Sequence, residues 1–126
     1  MQDKIVLIVE DELPLQDAIR MKLENSGFKA VTARSVEQAI NLLEDLERVD
    51  VIWLDHYLLG KENGLDFVAK LKDSEKWNEI PIFIVSNTAT EEKVKAYLQL
   101  GVDKYYLKSN YRLDQIIDDI KVHFKK

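Results

Sequence analysis

Five times along this chain a short β-rich apolar run is followed by a stretch whose apolar residues recur at helical spacing. That alternation constrains the fold more than any other feature. The first run is Ile5 to Val9, the third Val51 to Leu54 and the fourth Ile82 to Val85. All three are continuously apolar, as expected of parallel strands buried on both faces. Right-handed crossovers between such strands give an α/β fold, a doubly wound five-stranded parallel sheet with helices on both sides.

The intervening segments fit this plan. Leu15, Ala18, Ile19 and Leu23 form one face of a first helix, with Pro14 near its first turn and Asn25-Ser26-Gly27 at its end. A short second strand covers about Lys29 to Thr32. Ser35 opens a capping-box pattern, Ser-Val-Glu-Gln, ahead of a stripe of Val36, Ala39, Ile40 and Leu43. After a loop containing Gly60 and Gly64, Leu65, Val68 and Leu71 face inward from a third helix. Thr88 or Thr90 caps a fourth, which carries Val94, Tyr97 and Leu98 and stops at Gly101. A fifth strand follows over about Lys104 to Leu107. Leu113, Ile116, Ile117, Ile120 and Phe124 then mark five helices in all. With no linker or repeat in 126 residues, the expectation is one domain over 1–126.

In a doubly wound sheet, ligands bind at the carboxyl ends of the strands. Those ends are where this chain concentrates its chemistry: Glu10-Asp11-Glu12 after the first strand, Asp55 after the third, Ser86-Asn87-Thr88 after the fourth and Lys108 after the fifth. Taken singly, each has an ordinary explanation. Acidic residues suit a helix start, a serine suits a turn and a lysine suits the surface. As an ordered set at four strand ends they are no longer ordinary. Gathered carboxylates repel one another and favour a divalent cation with hard oxygen ligands, such as Mg²⁺. A carboxylate can act as a nucleophile and form an acyl phosphate, and Asp55 on the central strand is best placed to do so. Lys108 and the Ser86 hydroxyl would stabilise charge on the phosphoryl oxygens.

The remaining composition narrows the field. A net charge of −5 with scattered Lys and Arg argues against a direct nucleic-acid footprint. The absence of cysteine excludes a disulfide framework and thiol catalysis. No apolar run is long enough to span a bilayer, and the start of the chain lacks a secretory-leader pattern, so a cytoplasmic location is expected.

The motifs Val-Glu-Asp-Glu at 9–12, Trp-Leu-Asp-His at 53–56, Asn-Gly-Leu at 63–65, Val-Ser-Asn-Thr at 85–88 and Gly-Val-Asp-Lys-Tyr-Tyr-Leu-Lys at 101–108 resemble the bacterial response-regulator receiver family. The likeness runs from Lys4 to about Phe124. It implies a flavodoxin-like fold of strand order 2-1-3-4-5. It also implies a partner, a sensor histidine kinase or histidine phosphotransfer protein, that gives its phosphoryl group to Asp55. By the same resemblance Asp11 ligates Mg²⁺ (or Mn²⁺) directly, Glu10 acts through water, and the Tyr57 backbone carbonyl completes the protein ligands. Ser86 matches the switch hydroxyl, Tyr105 the switch aromatic and Lys108 the family's lysine. Phosphorylation would draw Ser86 toward Asp55, let Tyr105 rotate inward and repack the face of the fourth helix, fifth strand and last helix for a downstream protein target. Such a chain, a monomer or weak homodimer, is a signalling switch rather than a classified enzyme, although it catalyses its own phosphorylation and dephosphorylation.

Three departures from the family stand out. Ser109 follows Lys108 where proline with a cis bond is usual; a non-proline cis bond costs roughly 3–4 kcal/mol, so the bond is either trans with Lys108 re-aimed or cis and strained. Leu59 replaces a proline in the loop after Asp55, which carries one extra residue before Gly64 and is expected to be less rigid. Tyr57 is bulky beside the acyl phosphate; with only Thr88 facing it, the ring would screen in-line water and slow autodephosphorylation. His56 is a second candidate to orient water, although its position aims it into or across the sheet. Trp53 and Trp77 read as packing residues, as does Tyr106, which cannot share a face with Tyr105. The competing reading is a phosphorylation-independent scaffold or binding module of the same fold. An aspartyl phosphohydrolase would need Asp-x-Asp where Glu10-Asp11-Glu12 stands, and a nucleotide site would need a glycine-rich loop after the first strand.

Overall fold

The structure, a computed structural model, describes residues 3–125. Met1, Gln2 and Lys126, the extremes of the expected 1–126 domain, lie outside the described residues. In chain order the elements are β1 (Ile5–Val9), α1 (Leu13–Asn25), β2 (Lys29–Ala33), α2 (Val36–Asp45), β3 (Val51–Leu54), α3 (Gly64–Lys72), β4 (Ile82–Ser86), α4 (Glu91–Leu100), β5 (Lys104–Leu107) and α5 (Leu113–Phe124). A short 3-10 turn over Lys108–Asn110 precedes α5. Every pairing is parallel, and the strand order is β2-β1-β3-β4-β5. The expected doubly wound, flavodoxin-like sheet is therefore the one observed. Its order reverses between β1 and β3, so the crevice at their carboxyl ends is the topological switch point.

Side chains alternate across each strand, and this divides the core in two. Leu7, Val9, Ile52, Leu54, Ile82 and Ile84 pack against α2, α3 and α4. Val6, Ile8, Val51, Trp53, Phe83 and Val85 pack against α1 and α5 on the other face. Trp53 is fully enclosed there, and its truncation to alanine would cost about 3–5 kcal/mol. Tyr105 and Tyr106 take opposite faces as alternation requires; Tyr106 stacks on Phe83 and donates its hydroxyl to Asp119 at 2.6 Å, a packing role. Trp77 packs half-buried against the first core.

Helix ends depart from the sequence reading in detail. The Ser35 hydroxyl accepts the Gln38 N–H, but the Gln38 side chain accepts from Arg34 rather than from Ser35, so the capping box is half made. A reciprocal box forms instead at Asn63 and Asp66, ahead of α3. Thr90, not Thr88, caps α4. In α3, Phe67 is buried more deeply than Leu65; in α4, Tyr97 is enclosed while Leu98 is 51% exposed. β2 gains Ala33, and β4 takes in Ser86.

Candidate functional site

Because β1 and β3 are paired with Val9 beside Leu54, the residues that leave these strands emerge side by side. Carboxylate oxygens of Glu10, Asp11 and Asp55 all lie within 4.8 Å of one another. Glu10 and Asp55 are 1% and 4% exposed, so water screens neither well. The Glu10 carboxylate accepts the Glu12 N–H at 3.1 Å, and Asp55 accepts the His56 N–H at 2.9 Å. Lys108 reaches this pair from the end of β5, donating to Glu10 at 2.9 Å with its Nζ 3.6 Å from Asp55. Among the described residues there is no cis peptide bond, so Lys108–Ser109 is trans; Lys108 still enters the site because the 3-10 turn carries the chain away behind it. Ser86 ends β4 fully buried, its hydroxyl accepting the Thr88 N–H at a long 3.4 Å.

The electrostatics follow from burial and crowding. Desolvation first, and the Glu10 charge second, push the Asp55 carboxyl up to about 7, with Lys108 opposing them. Burial likewise raises Glu10, against the pull of the Glu12 N–H and Lys108. One lysine does not balance three carboxylates. All-oxygen donors held close together, with excess negative charge in poor solvent, suit a hard divalent cation.

A second layer stands around this floor. Tyr57, 49% exposed, follows Asp55 by two residues, and Thr88 follows Ser86 by two. Lys93, on the first turn of α4, donates to the Tyr57 hydroxyl at 2.9 Å and to the Thr88 hydroxyl at 3.0 Å. That bond is the main reason the Tyr57 phenol is lowered. The Thr88 carbonyl accepts from the Tyr105 hydroxyl. Tyr105 is half-buried, its ring 5.6 Å from that of Tyr97. The aromatic expected to turn inward on modification thus has its hydroxyl on the loop after β4 and its ring against α4. His56 is buried with Nδ1 2.6 Å from the Tyr97 hydroxyl, below the site rather than facing it, and burial lowers its pKa. The loop after Asp55 is tied at three points: Leu59 N–H donates to the Arg34 carbonyl at 3.0 Å, Gly64 N–H to the His56 carbonyl at 2.9 Å, and Lys70 pairs with Glu62 at 2.7 Å.

The structure thus brings together Glu10, Asp11, Asp55 and Lys108, with Ser86 at the neighbouring strand end. It adds residues that sequence reasoning missed. Gln16 donates its amide to the carbonyls of Glu10 (3.0 Å) and Ala33 (3.2 Å), joining β1 to β2 at the site. Its spacing from Ile19 and Leu23 puts a glutamine on the buried stripe, a signal that was available. Arg34 grips the Asp11 carbonyl with two N–H groups, at 3.0 and 2.8 Å. Gly64 is required by contact: a Cβ there would collide with the Tyr97 hydroxyl and stand 3.0 Å from the Asp55 carbonyl oxygen.

A family model described as the response regulator receiver domain matches residues 6–121. The phosphate regulon transcriptional regulatory protein PhoB of Pseudomonas aeruginosa is 32% identical over 108 residues, covering 86% of this chain and 46% of that protein. The transcriptional regulatory protein CpxR of Escherichia coli is 30% identical over 100 residues, covering 79% of this chain and 40% of that protein. The chain thus spans less than half the length of these curated relatives. Among solved structures, the phosphorylated cyanobacterial phytochrome response regulator RcpA is similar with TM-score 0.83 at 27% identity, covering 97% of this chain and 91% of that one. A response regulator receiver protein from Pseudomonas putida gives TM-score 0.89 at 24% identity over 97% and 98% of the two chains, a likeness of fold.

Proposed function

The chain belongs to the response-regulator receiver domain family, and from that premise we propose that it is a two-component switch that takes a phosphoryl group onto Asp55. The observation that carries this reading is the buried acidic cluster with Lys108 at its edge. Three carboxylates crowded in poor solvent weaken the fold unless something they bind offsets their repulsion. That arrangement supports the acceptor reading over a phosphorylation-independent scaffold.

The donor is a phosphohistidine on a sensor kinase or phosphotransfer protein. An ionised Asp55 oxygen attacks phosphorus, the phosphorus–nitrogen bond breaks, and the histidine departs with its electron pair. Lys108 favours the ionised nucleophile and faces the charge that accumulates on the transferring group. The buried Ser86 hydroxyl then has a new acceptor to turn toward. Asp11, Glu10, Asp55 and the Tyr57 carbonyl would hold Mg²⁺ or Mn²⁺, which when bound supplies positive charge for the phosphoryl oxygens. Thr88 links the Ser86 hydroxyl to Tyr105, and so the site to the α4–β5–α5 face. Leu98, Tyr111 and Val122 lie exposed along that face and support its use by a downstream protein target. The net charge of −5 supports contact of this domain with protein rather than directly with nucleic acid. No helix among the described residues is long and apolar enough to cross a membrane. We place the protein in the cytoplasm, as a monomer or weak homodimer that acts as a switch.

Incubation with acetyl phosphate and Mg²⁺, followed by intact-mass measurement, tests this reading. The wild type gains the mass of one phosphoryl group and Asp55→Asn does not. Equal uptake by both would move the acceptor elsewhere; uptake by neither, with a phosphohistidine donor also tried, would leave the scaffold.

A further inference from the structure

Lys93 is a feature of this site that the acceptor chemistry does not use. It makes no ion pair with a carboxylate among the described residues, although Glu91 and Glu92 precede it on α4. Its ammonium instead joins two hydroxyls from different loops, Tyr57 after β3 and Thr88 after β4. Thr88 is anchored on both sides of that link, its N–H on Ser86 and its carbonyl on Tyr105. Tyr57 is half exposed, and its hydroxyl is held first by Lys93 and second by the Thr88 side chain, which Lys93 itself positions. The ammonium also lies 4.8 Å from the Tyr57 ring centroid, where the aromatic face attracts a cation.

The consequence concerns hydrolysis. A phosphoryl group on Asp55 projects outward, because the carboxylate itself is buried and the sheet closes the space behind it. Water must attack phosphorus on the side opposite the Asp55 oxygen, which is the mouth of the site. There the water oxygen bonds to phosphorus as the phosphorus–Asp55 bond breaks. Asp55 leaves as the carboxylate, and the water's protons pass to solvent and to the released inorganic phosphate. A ring free to swing uncovers that approach; a ring tied across to the facing loop covers it.

We infer that Lys93 is a positioning residue that clasps Tyr57 to Thr88 over the mouth of the site and thereby prolongs the life of the phosphorylated state. The inference rests on the acceptor reading above and adds to it the residue that times the signal. It also makes the screening by Tyr57 conditional, since the ring protects only while its hydroxyl is held.

The test is to load the protein with acetyl phosphate and Mg²⁺, remove the donor, and follow phosphate release in the wild type, Lys93→Met, Lys93→Arg and Tyr57→Phe. Uptake rates are measured on the same samples. Lys93→Met is expected to speed decay about five-fold with uptake unchanged, the scale of one lost hydrogen bond at an exposed site. Tyr57→Phe, which keeps the ring and removes its tether, should match it. The double variant should be no faster than either single one, because both cut the same link. Lys93→Arg, which still donates to two hydroxyls, should restore a slow decay. Decay at the wild-type rate in Lys93→Met, or additive effects in the double variant, would overturn the clasp while leaving Asp55 as acceptor. Slowed uptake together with slowed decay would also overturn it, placing Lys93 on the phosphoryl group itself. A wild type that takes up no phosphoryl group overturns the clasp and the acceptor reading together.

Discussion

The floor of the site and its rim are built by different means. Glu10, Asp11, Asp55, Ser86 and Lys108 stand at or beside strand ends, and their positions are inherited from the sheet. Burial and crowding perturb their charges. Tyr57, Thr88 and Lys93 come from two loops and a helix start, are more exposed, and are held by hydrogen bonds between flexible side chains. The difference separates two properties of a switch. On the function proposed above, the rigid floor determines whether a phosphoryl group is accepted, and the adjustable rim determines how long it stays.

Substitutions in the floor break this comparison most severely if it is wrong. Lys108→Met removes the cation paired with Asp55 among the described residues and is expected to slow phosphoryl uptake about a hundred-fold, the scale of losing a preorganised charge partner. It should also raise the Asp55 pKa further, because Lys108 is the main influence lowering it, so the remaining uptake shifts to higher pH. Uptake rates across a pH series check both; a rate like that of the wild type would remove Lys108 from the floor.

Gly64→Ala probes the wall beneath the floor. The new methyl meets the Tyr97 hydroxyl and the Asp55 backbone, and the fold should lose about 1–3 kcal/mol in urea denaturation. A fully stable variant would mean that the His56–Tyr97 pair gives way easily.

The pH dependence is gentler. The folded pKa of Asp55, about 7, lies above its usual 3.8, so the native state holds this proton more tightly than the unfolded chain. Its contribution is fully present below about pH 4 and is lost as pH rises through about 7. Glu10 is shifted in the same direction. Metal-free melting temperature should therefore fall across that interval from these two groups, and Mg²⁺ should recover the loss by binding only the folded, ionised cluster. Melting curves with and without Mg²⁺ that run parallel at all pH values would count against a metal on these carboxylates. The smallest effect belongs to the rim: Lys93→Met should change stability by less than about 0.5 kcal/mol, because its partners are exposed or half-buried hydroxyls.

What was readable in the sequence follows the same division. Asp55, Glu10, Ser86 and Lys108 could be found because a strand's apolar run ends abruptly at a polar residue, and the topology brings those ends together. The parallel sheet was readable for the same reason, since β1 and β3 carry no polar position and β4 carries none before Ser86. Lys93 was not readable, because its target depends on how α4 is set against two loops from elsewhere in the chain. Arg34 was hidden similarly: it serves the site by holding the backbone of Asp11, and no motif marks a residue that binds a carbonyl. Gln16 is a different case, a polar residue at a core spacing that deserved to be read as a buried bond. The trans Lys108–Ser109 bond shows that the lysine reaches its carboxylates through a 3-10 turn, an alternative that residue identity alone did not settle.

The division itself is tested most directly by measuring uptake and decay of the phosphoryl group in parallel for Lys108→Met and Lys93→Met. Lys108→Met should slow uptake far more than any rim change, while Lys93→Met should take up phosphoryl at the wild-type rate and lose it several-fold faster. If the two variants alter uptake and decay in the same proportion, floor and rim are one machine, and the separation drawn between them is wrong.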